Sequence, residues 1–98
     1  MTPSTPPPTQ AAPRVLTDVR GTAATAPPEA TGALWRLTEP GRQLDANLVH
    51  LPPGERVAPH TEPELDVLLL VVAGEGTLLG GEQAQPLAEG SLVWLPPG

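Results

Sequence analysis

Gly90-Ser91-Leu92-Val93-Trp94-Leu95-Pro96-Pro97-Gly98 is the stretch whose reading decides the fold. Four bulky apolar residues in succession suit a pleated strand, and glycine and proline punctuate both ends. The segment reads as a strand over Ser91 to Leu95 that runs into a Pro-Gly turn. A related pattern stands upstream. Gly54 is followed after five residues by His60, then by acidic residues, then by the apolar run Val67 to Ala73 that stops at Gly74-Glu75-Gly76. Periodicity alone leaves that run open between a strand and a buried helix segment. Its length, its valines and its glycine stop favour a strand with both faces covered.

Working outward, the same alternation of short apolar pieces and turn residues continues from residue 33. Leu34-Trp35-Arg36-Leu37 is a first strand, broken by Pro40-Gly41. Gln43 to Leu51 alternates Leu44, Ala46, Leu48 and His50 against Gln43, Asp45, Asn47 and Val49, and Pro52-Pro53-Gly54 ends it. Arg56 to Ala58 is a brief extended piece. Thr77-Leu78-Leu79 and a strand near Gln85 to Leu87 flank Gly80-Gly81, a hairpin signal. No segment of ten or more residues combines helical spacing with caps. Short strands with turns every ~8–12 residues predict an all-β sandwich or barrel.

The first ~30 residues differ in kind. Thr2-Pro3-Ser4-Thr5-Pro6-Pro7-Pro8-Thr9 and Ala26-Pro27-Pro28-Glu29 are rich in proline, threonine and alanine, which offer fixed φ and little apolar surface to offset chain ordering. Residues 1–30 are expected to form a disordered or polyproline-like tail, in which Val15-Leu16 with Val19 is the piece able to dock as a strand. Residues 31–98 then form one small domain, near the lower size limit for a self-sufficient core. With two tryptophans and no Phe or Tyr, that core rests on leucine and valine. A homodimer burying one sheet face would relieve the shortage.

Charge narrows the function. The 98 residues carry a net charge of −6, with five arginines and no lysine. Nucleic acid and anionic membrane surfaces are therefore poor partners. There is no cysteine for disulfide, thiolate or Cys-ligated zinc chemistry. The first residues lack the basic and apolar regions of a signal peptide. The longest apolar run is too short to span a bilayer. A cytoplasmic location is the expectation. Two histidines and no cysteine support neither a Ser-His-Asp nor a Cys-His catalytic arrangement.

Gly54, His60 and Gly74, with Gly90, Pro96 and Gly98, together resemble the two sequence motifs of the cupin family of small β-barrels. The resemblance covers roughly residues 48–98. In the first motif the second histidine position holds Glu62, and the glutamate position falls on Val67, one residue from Asp66. In the second motif the metal-binding histidine would follow Gly98 by three residues. The resemblance implies a cupin-like jelly-roll barrel, incomplete at its C-terminal end, with a cavity lined from residues 46–51, 67–73 and 91–95. It also implies a divalent metal (Mn, Fe, Ni or Zn), for which this chain offers His60, Glu62, Glu64 and Asp66. On a regular strand these four alternate residues would share one face. One imidazole with several carboxylates is an oxygen-rich donor set that favours Mn or Mg over Zn. The plain alternative is that His60 to Glu64 is a solvated acidic loop.

Three functional expectations follow from the resemblance. The leading one is a binding domain for a small molecule or a divalent metal, without catalysis. The second is a metal-dependent enzyme of the dioxygenase, isomerase or decarboxylase kind, completed by a histidine after residue 98. The third is a fragment of a longer barrel whose open edge invites pairing with a second chain. His50 is expected at a strand end on the surface. Arg42 and Arg56 are expected to balance Glu39, Asp45 and Glu55, and Trp35 and Trp94 to anchor a core or an interface.

Overall fold

The computed structural model describes residues 12–57 and 63–98. The described residues are strand-rich, with one short helix, and fall into two compact units that divide between Pro53 and Gly54. Six strands pair as three separate two-stranded antiparallel ribbons. The all-β expectation holds at this level. Among the described residues the ribbons are not closed into a barrel, since each strand has one partner where a closed barrel requires two.

In the first unit, helix α1 spans Val19–Thr25. It lies within the proline-rich stretch, where the sequence carries no helical period. Its start is set locally: the Asp18 side chain accepts from the Arg20 amide at 3.2 Å, and the Asp18 carbonyl accepts from the Thr22 amide at 2.9 Å. Such a cap satisfies one of the helix's orphan donors. The Thr22 and Thr25 hydroxyls bond back to the carbonyls of Asp18 and Gly21, at 2.9 and 3.1 Å. Val15 and Leu16, read as a piece able to dock as a strand, stay irregular and exposed.

Strand β1 (Gly32–Arg36) pairs with β2 (Asn47–His50). The register shifts between Ala33 and Trp35, leaving Leu34 as the extra residue. The bulge explains why Leu34 and Trp35, although successive, are both half-buried. Leu37 extends the pairing by donating its amide to the Ala46 carbonyl at 2.8 Å. At 8% exposure it is the buried hydrophobic residue on which this unit's small core centres. The second strand is shorter than its alternating sequence, because Gln43 to Ala46 are taken up by the turn that Arg42 and Asp45 organise.

In the second unit, β3 (Val67–Leu70) pairs with β6 (Leu92–Leu95), and β4 (Glu75–Leu78) pairs with β5 (Gln85–Ala88). The β4–β5 ribbon is the hairpin expected around Gly80-Gly81, closed by a wider loop over 79–84. Two bonds tie the β3 end to the turn before β6: Val71 donates to the Ser91 carbonyl at 2.9 Å, and Gly90 donates to the Val71 carbonyl at 2.8 Å. Gly90 sits there at φ +92°, a left-handed conformation that side chains rarely adopt. Gly74 stops the β3 arm at φ +84° for the same reason. No helix among the described residues is long and apolar enough to cross a membrane.

Candidate functional site

The β3–β6 ladder brings the two halves of the sequence pattern side by side. Its register pairs Val67 with Leu95, Leu68 with Trp94, Leu69 with Val93, and Leu70 with Leu92. Directly opposed residues of an antiparallel pair share a face. One face therefore carries Leu68, Leu70, Leu92 and Trp94, and the other carries Val67, Leu69, Val93 and Leu95. The first is open to solvent, with exposures of 69%, 57%, 65% and 62%. The second is more shielded: Val93 and Leu95 are half-buried, and Val67 and Leu69 stand at 38% and 39%. The expectation that β3 is covered on both faces is not met among the described residues. The apolar run makes the strand without bringing its own cover among the described residues.

Asp66 lies immediately before β3, and its Oδ1 accepts the indole Nε1–H of Trp94 at 2.7 Å. The bond joins the acidic approach of one strand to the last strand of the unit. It gives Trp94 a polar anchor at the edge of the open apolar face, where the sequence reading assigned only packing. An aspartate facing an aromatic residue 28 positions later is a nonlocal pair that no spacing rule exposes.

Of the four metal-ligand candidates, His60 and Glu62 lie outside the described residues. Glu64 falls in a bend with Pro63, and regular strand begins only at Val67. The alternation that would set Glu64 and Asp66 on a common face therefore does not operate over 63–66. Proline lacks the amide donor that a ladder needs, which accounts for the bend. Among the described residues no group of three or more His, Asp and Glu stands close enough to hold a metal ion.

The first unit holds the other candidates in structural roles. His50 is half-buried at the end of β2, and its Nδ1 donates to the Ala30 carbonyl. It ties the chain before β1 to the strand across the ribbon. Arg42 donates to the Glu39 carbonyl at 3.1 Å and faces Asp45 at 3.8 Å, while Arg14 pairs with the Glu39 carboxylate. Every charge in this group has a local counterpart, as expected for Arg42. A shallow cavity of about 240 Å³ is lined by Arg14, Val15, Leu16, Trp35, Leu37 and Glu39, with the Arg14–Glu39 pair across it. Its lining residues, 14–16 and 35–39, are not among the segments expected to line a cavity, 46–51, 67–73 and 91–95.

No family model matches the chain, and neither the curated proteins nor the solved structures contain a significant match to it.

Proposed function

We propose that this chain is a cytoplasmic binding domain of cupin-like, jelly-roll character that holds a small molecule against the strands of its two motifs. The observation that carries the reading is the Asp66–Trp94 bond at 2.7 Å within the β3–β6 ladder. It joins a carboxylate of the first motif region to an aromatic ring of the second. An oriented polar group beside apolar side chains is the usual composition of a small-molecule site.

Of the four candidate metal ligands, the described residues hold Glu64 and Asp66. Glu64 and Asp66 supply two carboxylates, one of them already bonded to an indole, where three ligands are the usual minimum.

Thermal melting of the full chain against a panel of small polar-aromatic molecules, with Mn(II) and Zn(II) alongside, tests the reading. The expected result is a ligand class that raises the melting temperature of the native chain but not of Asp66→Asn. Shifts of equal size in both proteins would sink it. A Mn(II)-induced shift that His60→Ala abolishes would replace the small molecule by a metal.

A further inference from the structure

The open face of the β3–β6 ribbon and the charge of its unit describe a partner different from a small molecule. Residues 54–98 contain Glu55, Glu62, Glu64, Asp66, Glu75, Glu82 and Glu89 against the single cation Arg56. Residues 1–53 contain Arg14, Arg20, Arg36 and Arg42 against Asp18, Glu29, Glu39 and Asp45. The whole excess negative charge of the chain therefore belongs to the unit with the open apolar face.

Charge also brackets that face. Asp66 and Glu64 precede β3 at one end of the ribbon. At the other end Glu89 sits in the turn before β6, beside Val71 through the Gly90 bond. Between the ends, Leu68, Leu70, Leu92 and Trp94 carry no charge and stand 57–69% exposed, an apolar patch on the order of 400 Å², within the range of the largest patches of monomers, which are often functional.

We propose that this face docks a basic amphipathic polypeptide segment, with its apolar side chains on Leu68, Leu70, Leu92 and Trp94 and its lysines or arginines toward the flanking carboxylates. The ribbon is about 13 Å long at the usual strand rise, which matches roughly two turns of helix. A helix with leucine at i, i+3, i+4 and i+7 and cations around that stripe meets both requirements. A second copy of this chain meets only the first. It would set one acidic unit against another, and like charges across an interface oppose association. The inference shares Asp66 and Trp94 with the small-molecule reading, but its test turns on Leu68 and Leu92, so the two can fail separately.

The experiment titrates the full chain with a synthetic peptide of about fourteen residues that carries leucines at that spacing and lysines elsewhere. A peptide with the same leucines and glutamates in place of the lysines is the control. Trp35→Phe leaves Trp94 as the one tryptophan, so its emission reports on this face. The expected result is a blue shift with the lysine peptide, about tenfold weaker binding when salt is raised from low to several times physiological strength, and no shift with the glutamate peptide. Leu68→Ser with Leu92→Ser should remove binding while the circular dichroism stays unchanged.

Equal binding of both peptides overturns the proposal. So does binding by the double variant at native strength. Should the double variant lose its fold, the Trp94 emission in the Trp35→Phe protein still decides, because an unmoved spectrum at saturating peptide overturns it. A dimeric mass of the unliganded chain that falls to a monomer in the double variant also overturns it, and assigns the face to a second copy.

Discussion

The β1–β2 ribbon and the β3–β6 ribbon are built alike and held differently. Both are antiparallel pairs of short strands, and such a pair alone is marginal in water. The first is supported by neighbours: Leu37 buries beside it, His50 clamps the Ala30 carbonyl, and Arg14, Arg42, Glu39 and Asp45 balance one another around it. The second has the stronger strand sequence and less support. Its leucines stand open, and among the described residues the Asp66–Trp94 bond links the approach to β3 with β6. Strand propensity and strand support are therefore separate properties here, and the ribbon with more apolar sequence buries less of it.

The comparison breaks most easily at Leu37. Truncating a buried leucine typically costs about 2–5 kcal/mol, through lost transfer energy and the cavity left behind. Leu37→Ala should therefore abolish amide-exchange protection across β1 and β2 and leave the β3–β6 amides as they were. Hydrogen exchange followed by NMR reads both at once. Simultaneous loss in the two ribbons would mean that they open as one cooperative body.

Gly90 tests the second ribbon in the same way. At φ +92° an added Cβ would meet nothing within 4 Å, so the penalty of Gly90→Ala is backbone strain and not a clash. A residue held in such a conformation costs about 1–3 kcal/mol. The variant should lower protection at Val71, β3 and β6 while sparing β1–β2. Unchanged exchange there would show that the turn is not what holds the ribbon.

A smaller effect belongs to the helix. Removing an N-cap side chain costs about 1 kcal/mol. Asp18→Ala should fray Val19–Thr25, seen as faster exchange at Thr22 and its neighbours, with both ribbons untouched. Asp18→Asn should restore most of the protection, because an amide oxygen also accepts at that position.

These sites differ in how far the sequence reveals them. Ser91 to Leu95 and Gln85 to Leu87 are legible, since compact apolar or extended pieces between glycines leave few other conformations. Helix α1 is not legible by period, because seven residues complete fewer than two turns; Asp18 ahead of Val19 is the one local sign of it. Pairing is nonlocal, so the reading names β3 and β6 as strands without joining them, and Asp66 meets Trp94 unannounced. Burial is the least legible property. Val67 to Ala73 reads as a covered strand because apolar side chains are usually covered, whereas cover depends on what else the chain or its partners bring. Of the metal-ligand set, Glu64 and Asp66 lose their shared face to the bend at Pro63, and His60 and Glu62 lie outside the described residues.

The smallest expected effect sharpens the comparison the most. Leu68 and Leu92 are chemically equal to Leu37, but they stand at 69% and 65% exposure against 8%. Little apolar area leaves water when they take their folded positions, so little is lost by removing them. Leu68→Ser and Leu92→Ser should each change unfolding stability by no more than about 0.5 kcal/mol, the ordinary range for a surface substitution. Urea denaturation followed by circular dichroism measures it, and an unchanged slope would confirm that the folded state exposes the same surface. Removing two exposed leucines from this face should also raise solubility, since open apolar patches promote association. A loss as large as that of Leu37→Ala would mean that the β3–β6 face is covered in solution, and the contrast between the two ribbons would then disappear.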